Sequence, residues 1–158
     1  MSEEFEKYRA DQASRWLEHV MASGAKVRSL QAEIDEQREI AAGVSSPAVD
    51  GMPRARAATA DALPDAVARI ESLIAEYCAE LAAYVDEQRE AHRALSAMPN
   101  AAHADALKRR YLLCRPWPQV SEEMGYTKDG MMKMRRRALC EAYDVMPANW
   151  RDPRHPAI

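Results

Sequence analysis

Lys128, Asp129, Met132 and Lys133 fall at positions i, i+1, i+4 and i+5, a spacing that gathers residues on one side of a helix. Their chemistry matches the edges of DNA bases. Lys128 and Lys133 can donate to guanine O6 and N7, Asp129 can accept from a cytosine amino group, and Met132 can meet a thymine methyl. Arg135, Arg136 and Arg137 follow directly, and Lys108, Arg109 and Arg110 lie upstream. These six suit phosphate contacts, which position a protein on DNA without specifying sequence. The Arg run can also be read as a solvated helix face. Thr127 precedes the first group as an N-cap and a further phosphate contact. Met131 and Met134 are read as core.

Catalytic chemistry has no comparable pattern. His19, His92, His103 and His155 form no metal-ligand spacing, no Gly-rich phosphate loop occurs, and Ser45 and Ser46 have no recognisable base. Neither an enzyme nor a bound metal or cofactor is expected. Cys78, Cys114 and Cys140 are far apart and read as small apolar thiols.

The elements that must position the basic residues lie in a unit spanning about residues 101–147. Three short helices can be drawn within it. The first covers residues 105–114, with Leu107 and Tyr111 inward. The second opens at Pro116-Trp117-Pro118 and ends near Met124, its prolines sitting where a first helical turn needs no N–H; Trp117, Val120 and Met124 face in. Gly125-Tyr126-Thr127 forms a tight turn, with Gly125 suited to a left-handed conformation. The third helix covers residues 128–143, with Met131, Met134, Ala138, Leu139 and Tyr143 inward. A short helix, a three-residue turn with Gly and a longer helix make the spacing of a helix-turn-helix.

The stretch WPQVSEEMGYTKDGMMKMRRRAL resembles region 4 of sigma-70-type factors, whose helix-turn-helix recognises a promoter element. The agreement covers the helix before the Gly, the Gly-aromatic-Thr turn, Met131 and Met134, and Arg137 to Leu139. The resemblance places the base-reading positions on Lys128, Asp129, Met132 and Lys133. Gly130 departs from the pattern, where such factors usually carry a long polar residue. With SSPAVDGMPRA between two long helices upstream, the layout is similar to phage and prophage sigma-region-4-like transcription regulators of the RinA/ArpU late-gene type. The resemblance implies double-stranded DNA as a partner, with RNA polymerase as a second candidate.

Composition frames the rest. Of 158 residues 30 are Ala, while Val, Ile and Thr together number 15. Such a balance favours helices over strands, so the fold class is all-α: a long antiparallel, coiled-coil-like helical hairpin followed by the C-terminal three-helix unit. The hairpin occupies residues 1–99. Its first helix covers residues 3–42, with Phe5, Tyr8, Trp16, Val20, Val27, Leu30, Ile34 and Ala41 on one face. A linker loop at 43–64 holds Pro47, Gly51, Pro53 and Pro64, with Asp61 as a cap. The second helix, residues 62–97, carries Leu63, Val67, Ile70, Ile74, Tyr77, Leu81, Tyr84, Gln88, Ala91 and Leu95. Their alternating steps of four and three are a heptad seam, able to pair within the chain or between copies, so a homodimer or higher oligomer is open. Residues 148–158 read as an extended tail in which Trp150 is available to dock.

Net charge is −3, but residues 1–100 sum to −7 and residues 101–142 to +4. Phosphate attraction depends on the local field of a face rather than the total. No run of apolar residues is long enough to span a membrane, and no targeting segment is read, so the expected location is cytoplasmic. Two other readings stay open. One is a small terminase-like DNA-packaging subunit, and the other a protein-binding adaptor with a degenerate helix-turn-helix.

Overall fold

A computed structural model describes residues 2–45 and 55–152, with side chains described at 2–43 and 63–152. The described residues are helical, without strands. In chain order the elements are α1 (Glu3–Ser45), α2 (Ala55–Ser96), α3 (Ala101–Leu107), a π-helical turn (Lys108–Leu112), α4 (Trp117–Met124), α5 (Lys128–Val145) and a 3-10 turn (Ala148–Trp150). No helix among the described residues is long and apolar enough to cross a membrane.

The linker is shorter than the 43–64 expected. Helix α1 continues to Ser45, and α2 starts at Ala55, leaving Pro64 inside it. The Ala-rich run 55–62 has high helix propensity, which carries the helix past a proline. Pro47, Gly51 and Pro53 of the expected linker lie outside the described residues, as does the side chain of the expected cap Asp61. The tail also differs from expectation: residues 148–150 coil into the 3-10 turn, and residues 153–158 lie outside the description.

Two compact units emerge, and they do not divide at residue 100. One is Met1–Ser23 with Val85–Ile158, and the other is Gly24–Tyr84. The first unit holds the main core. Ala13, Trp16, Leu17 and Val20 from α1 and Ala91 and Leu95 from α2 are buried in one cluster with Leu107, Tyr111, Ala138, Leu139, Ala142 and Tyr143. The start of α1 and the end of α2 are thus part of the packing of the C-terminal helices. A smaller cluster of Ala106, Val120, Met131 and Met134, flanked by Trp117 and Met124, lies beneath α4 and α5. The inward positions read from helical spacing between Leu107 and Tyr143 are all in these two clusters, whereas Phe5 of α1 and Gln88 of α2 are in neither.

Polar contacts tie the first unit together. His19 Nε2 lies 3.0 Å from Glu87 Oε1, and Ser23 Oγ donates to Glu87 Oε2 at 2.7 Å. Asn100 caps α3, its Oδ1 accepting from the N–H groups of Ala102 and His103. Glu141 of α5 reaches the same point, accepting from the Asn100 N–H at 2.9 Å and meeting His103 Nδ1 at 2.5 Å. Trp150 packs on the core with its ring 4.8 Å from that of His19.

In the second unit Lys26 pairs with Glu80 at 2.6 Å. A Cβ at Gly24 would lie 3.0 Å from a ring carbon of Tyr84, so a larger residue there would require the ring to shift. Val27, Leu30 and Ile34 are buried. The facing stripe on α2 is less covered than a closed seam would be. Leu63 and Val67 are 37% and 44% exposed, and Ile70, Ile74, Tyr77, Leu81 and Tyr84 are only half-buried.

Candidate nucleic-acid interface

The candidate interface begins at a turn. Gly125 takes φ 73° and ψ 27°, the left-handed region that costs an L-residue roughly 1–2 kcal/mol. Its conformation closes α4, with the Tyr126 N–H bonding to Ser121 O at 2.9 Å. Ser121 Oγ donates to Tyr126 O at 2.7 Å and locks the turn from the side. Thr127 then opens α5, its Oγ1 accepting from the Gly130 N–H at 3.1 Å. A Cβ at Gly130 would lie 3.1 Å from that hydroxyl, which gives a steric reason for glycine where a long side chain was expected.

With Met131 and Met134 buried beneath it, α5 turns Lys128, Asp129, Met132 and Lys133 to solvent. All four positions expected to read bases therefore share one exposed surface. Met132 is 63% exposed, unusual for a large apolar side chain in a helix rich in charge. It borders a cleft of about 480 Å³ with Trp117, Pro118, Met131, Lys128 and Arg135. The Arg135 guanidinium lies over the Trp117 ring at 5.2 Å, which fixes a cation at the cleft edge. Lys128, Lys133 and Arg137 make no ion pair among the described residues. Arg136 makes a long one, 3.5 Å to Glu3 of α1.

The upstream trio is placed differently. Arg109 donates through Nε to Asp105 and through Nη1 to Glu123 at 2.7 Å. Arg115 donates to the same Glu123 oxygen at 2.6 Å. The Arg109 hydrogen bond, with help from Arg115 and Gln119 and against some desolvation, holds the Glu123 carboxyl below its ordinary range, and Arg109 is raised in return. Arg110 lies over the Tyr111 ring and donates to Arg115 O. Lys108 donates to Ser96 Oγ at 2.8 Å. Arg109 thus already serves to hold α3, the π turn and α4 together, and Arg110 is engaged with the segment at Arg115.

Two contributors were not foreseen from the sequence, Asn100 and Glu123. Asn100 lies between the expected hairpin and the expected helix at 105–114, although Asn before an Ala-rich run is an N-cap signal. The α3 helix accordingly begins at Ala101 rather than 105 and passes into the π turn at Lys108. Glu123 gave no signal, because its two Arg partners meet only after the chain reverses at Cys114, which takes φ 56°. The three cysteines are free, and Cys78 is exposed rather than buried; it stands off the α2 stripe. Burial pushes the Cys140 thiol up, which disfavours the reactive thiolate. No protein-family model, curated protein or solved structure matches this chain.

Proposed function

We propose that this chain is a sequence-specific double-stranded DNA-binding transcription regulator of the phage and prophage sigma-region-4-like type. Helices α4 and α5 act as a helix-turn-helix, and the first turns of α5 enter the major groove. One observation carries this reading: a glycine turn and a capped helix start present Lys128, Asp129, Met132 and Lys133 together, exposed, above a buried Met131–Met134 floor. Lys128, Lys133 and Asp129 read base edges, Met132 meets a thymine methyl, and Arg135 to Arg137 contact phosphates. RNA polymerase is the proposed protein partner.

Duplexes selected from a random pool test the reading, followed by anisotropy titrations at several salt concentrations. Selection should yield one preferred sequence whose affinity falls steeply with salt. Recovery of no preferred duplex, even at low salt, overturns it.

The two long helices form an antiparallel hairpin that also pairs between copies in this proposal. The Lys26–Glu80 pair and the Gly24–Tyr84 approach support the hairpin, since the α2 partner number falls as the α1 number rises. The incompletely covered α2 stripe supports self-association, and it also favours the packaging-subunit reading over the adaptor. Native mass spectrometry separates these: a dimer fits a regulator and a closed ring fits a packaging subunit.

A further inference from the structure

A second surface of the first unit carries chemistry that base reading does not use. The last turns of α2 and the segment from α3 through the π turn line an open cleft of about 1090 Å³. Val85, Leu112 and Leu113 give it apolar lining, and Arg89, Arg93 and Lys108 bring cations to it. Leu113 is 57% exposed, the largest apolar side chain left open in this part of the chain. Val85, Arg89, His92 and Ser96 recur at steps of four and three, so α2 offers the cleft one continuous face. On the other wall the π turn closes with the Leu113 N–H on Lys108 O at 3.0 Å. That wider turn sets Lys108 and Leu112 on the same side as Leu113. The Lys108–Ser96 bond ties the two walls at one end, while Glu123 anchors Arg109 and Arg115 at another. Arg89 and Arg93 make no ion pair among the described residues.

We propose that this cleft docks an acidic amphipathic helix of a partner protein. The apolar stripe of the incoming helix covers Val85, Leu112 and Leu113, and carboxylates flanking the stripe meet Arg89, Arg93 and Lys108. Charge complementarity selects the acidic partner, and the apolar lining selects a helix in a groove over a nucleic acid. A phosphate backbone would satisfy the cations but leave Leu112 and Leu113 wet. Asp105, the one carboxylate of the lining, is neutralised by Arg109. The cleft shares no residue with the α5 surface, so the two sites can be filled together.

The test uses the full chain, isotopically labelled, and three probes. These are a synthetic helical peptide with a Leu stripe flanked by Glu, the same peptide with Lys for Glu, and a short DNA duplex. The acidic peptide should shift the amide resonances of Val85, Leu112 and Leu113, and the Lys peptide should not. Arg93→Glu and Lys108→Glu should each weaken the acidic peptide by about tenfold through like-charge contact. Arg93 makes no ion pair among the described residues, so its variant separates docking from folding, and it should leave duplex binding unchanged. Absence of shifts at these amides with the acidic peptide, equal binding of the Lys peptide, or displacement of the same resonances by the duplex would overturn the proposal.

Discussion

At the scale of single residues, the proposed reading divides into contacts that specify and contacts that hold. Lys133 is exposed and makes no ion pair among the described residues, so Lys133→Ala should leave stability unchanged. On the selected duplex it should cost ~1–3 kcal/mol and relax the preference at one base pair. Arg137→Ala should weaken all duplexes alike and reduce the salt slope by about one. Both outcomes are read from anisotropy titrations on the preferred sequence and on single-base variants of it. Met132 makes a sharper case, because a 63% exposed methionine beside the Trp117 ring has no packing reason to be apolar. Deoxyuridine in place of the contacted thymidine removes one methyl and should weaken the wild type by roughly the ~0.8 kcal/mol of a buried methyl-sized group. Met132→Ala should abolish the difference between the two bases. Equal affinity of wild type for both bases at every position of the site would refute the methyl contact.

The elements are held in place by turns and caps that can be tested without DNA. Gly125→Ala puts a Cβ on a φ of 73° and should destabilise by roughly 1–2 kcal/mol, seen as a lower urea midpoint. Thr127→Ala removes the acceptor for the Gly130 N–H and should cost ~1 kcal/mol in the same assay. The Arg109–Glu123–Arg115 clamp gives a pH signature. Glu123 is held below its ordinary value of 4.5, so the unfolded chain takes up its proton first as pH falls. The clamp's contribution is therefore complete above that value and is lost as pH drops through the depressed one. Urea midpoints of wild type and Glu123→Gln should differ by a constant amount near neutrality and converge only as pH falls through the depressed value. A gap that widens on acidification would contradict the assignment.

For the whole molecule, the proposed self-association rests on the uneven distribution of apolar surface, and the proposed DNA binding on that of charge. The α2 stripe in the Gly24–Tyr84 unit is incompletely covered, and a second copy would bury Leu63, Val67 and Ile74 further. Ile74→Glu should shift sedimentation from the assembled species to monomer, while the far-ultraviolet helix signal persists. Acidic residues at the start of α1 lie near the basic face of α5. Glu3, Glu4 and Asp11 share a cleft with Arg135 and Arg136, so Glu3→Gln with Glu4→Gln should tighten DNA binding modestly. The gain should vanish at high salt, since exposed pairs are screened.

Much of this was legible in the order of residues. Thirty Ala against fifteen Val, Ile and Thr leave helix as the favoured local state. Helical spacing alone placed Leu107, Tyr111, Val120, Met131, Met134, Ala138, Leu139 and Tyr143 in the core, because a helix repeats every ~3.6 residues and one side must face away from water. The glycine turn at Gly125 and the cap at Thr127 were legible for the same reason: both act within a few residues of chain. Tertiary structure alone decided what long-range contact decides. Glu123 meets Arg109 and Arg115 only after the chain turns back on itself. The start of α1 joins the core of the C-terminal helices because Trp16 and Leu17 bury best there. A heptad pattern on α2 announces an apolar stripe but not how much of it a partner covers, since coverage depends on the residues opposite.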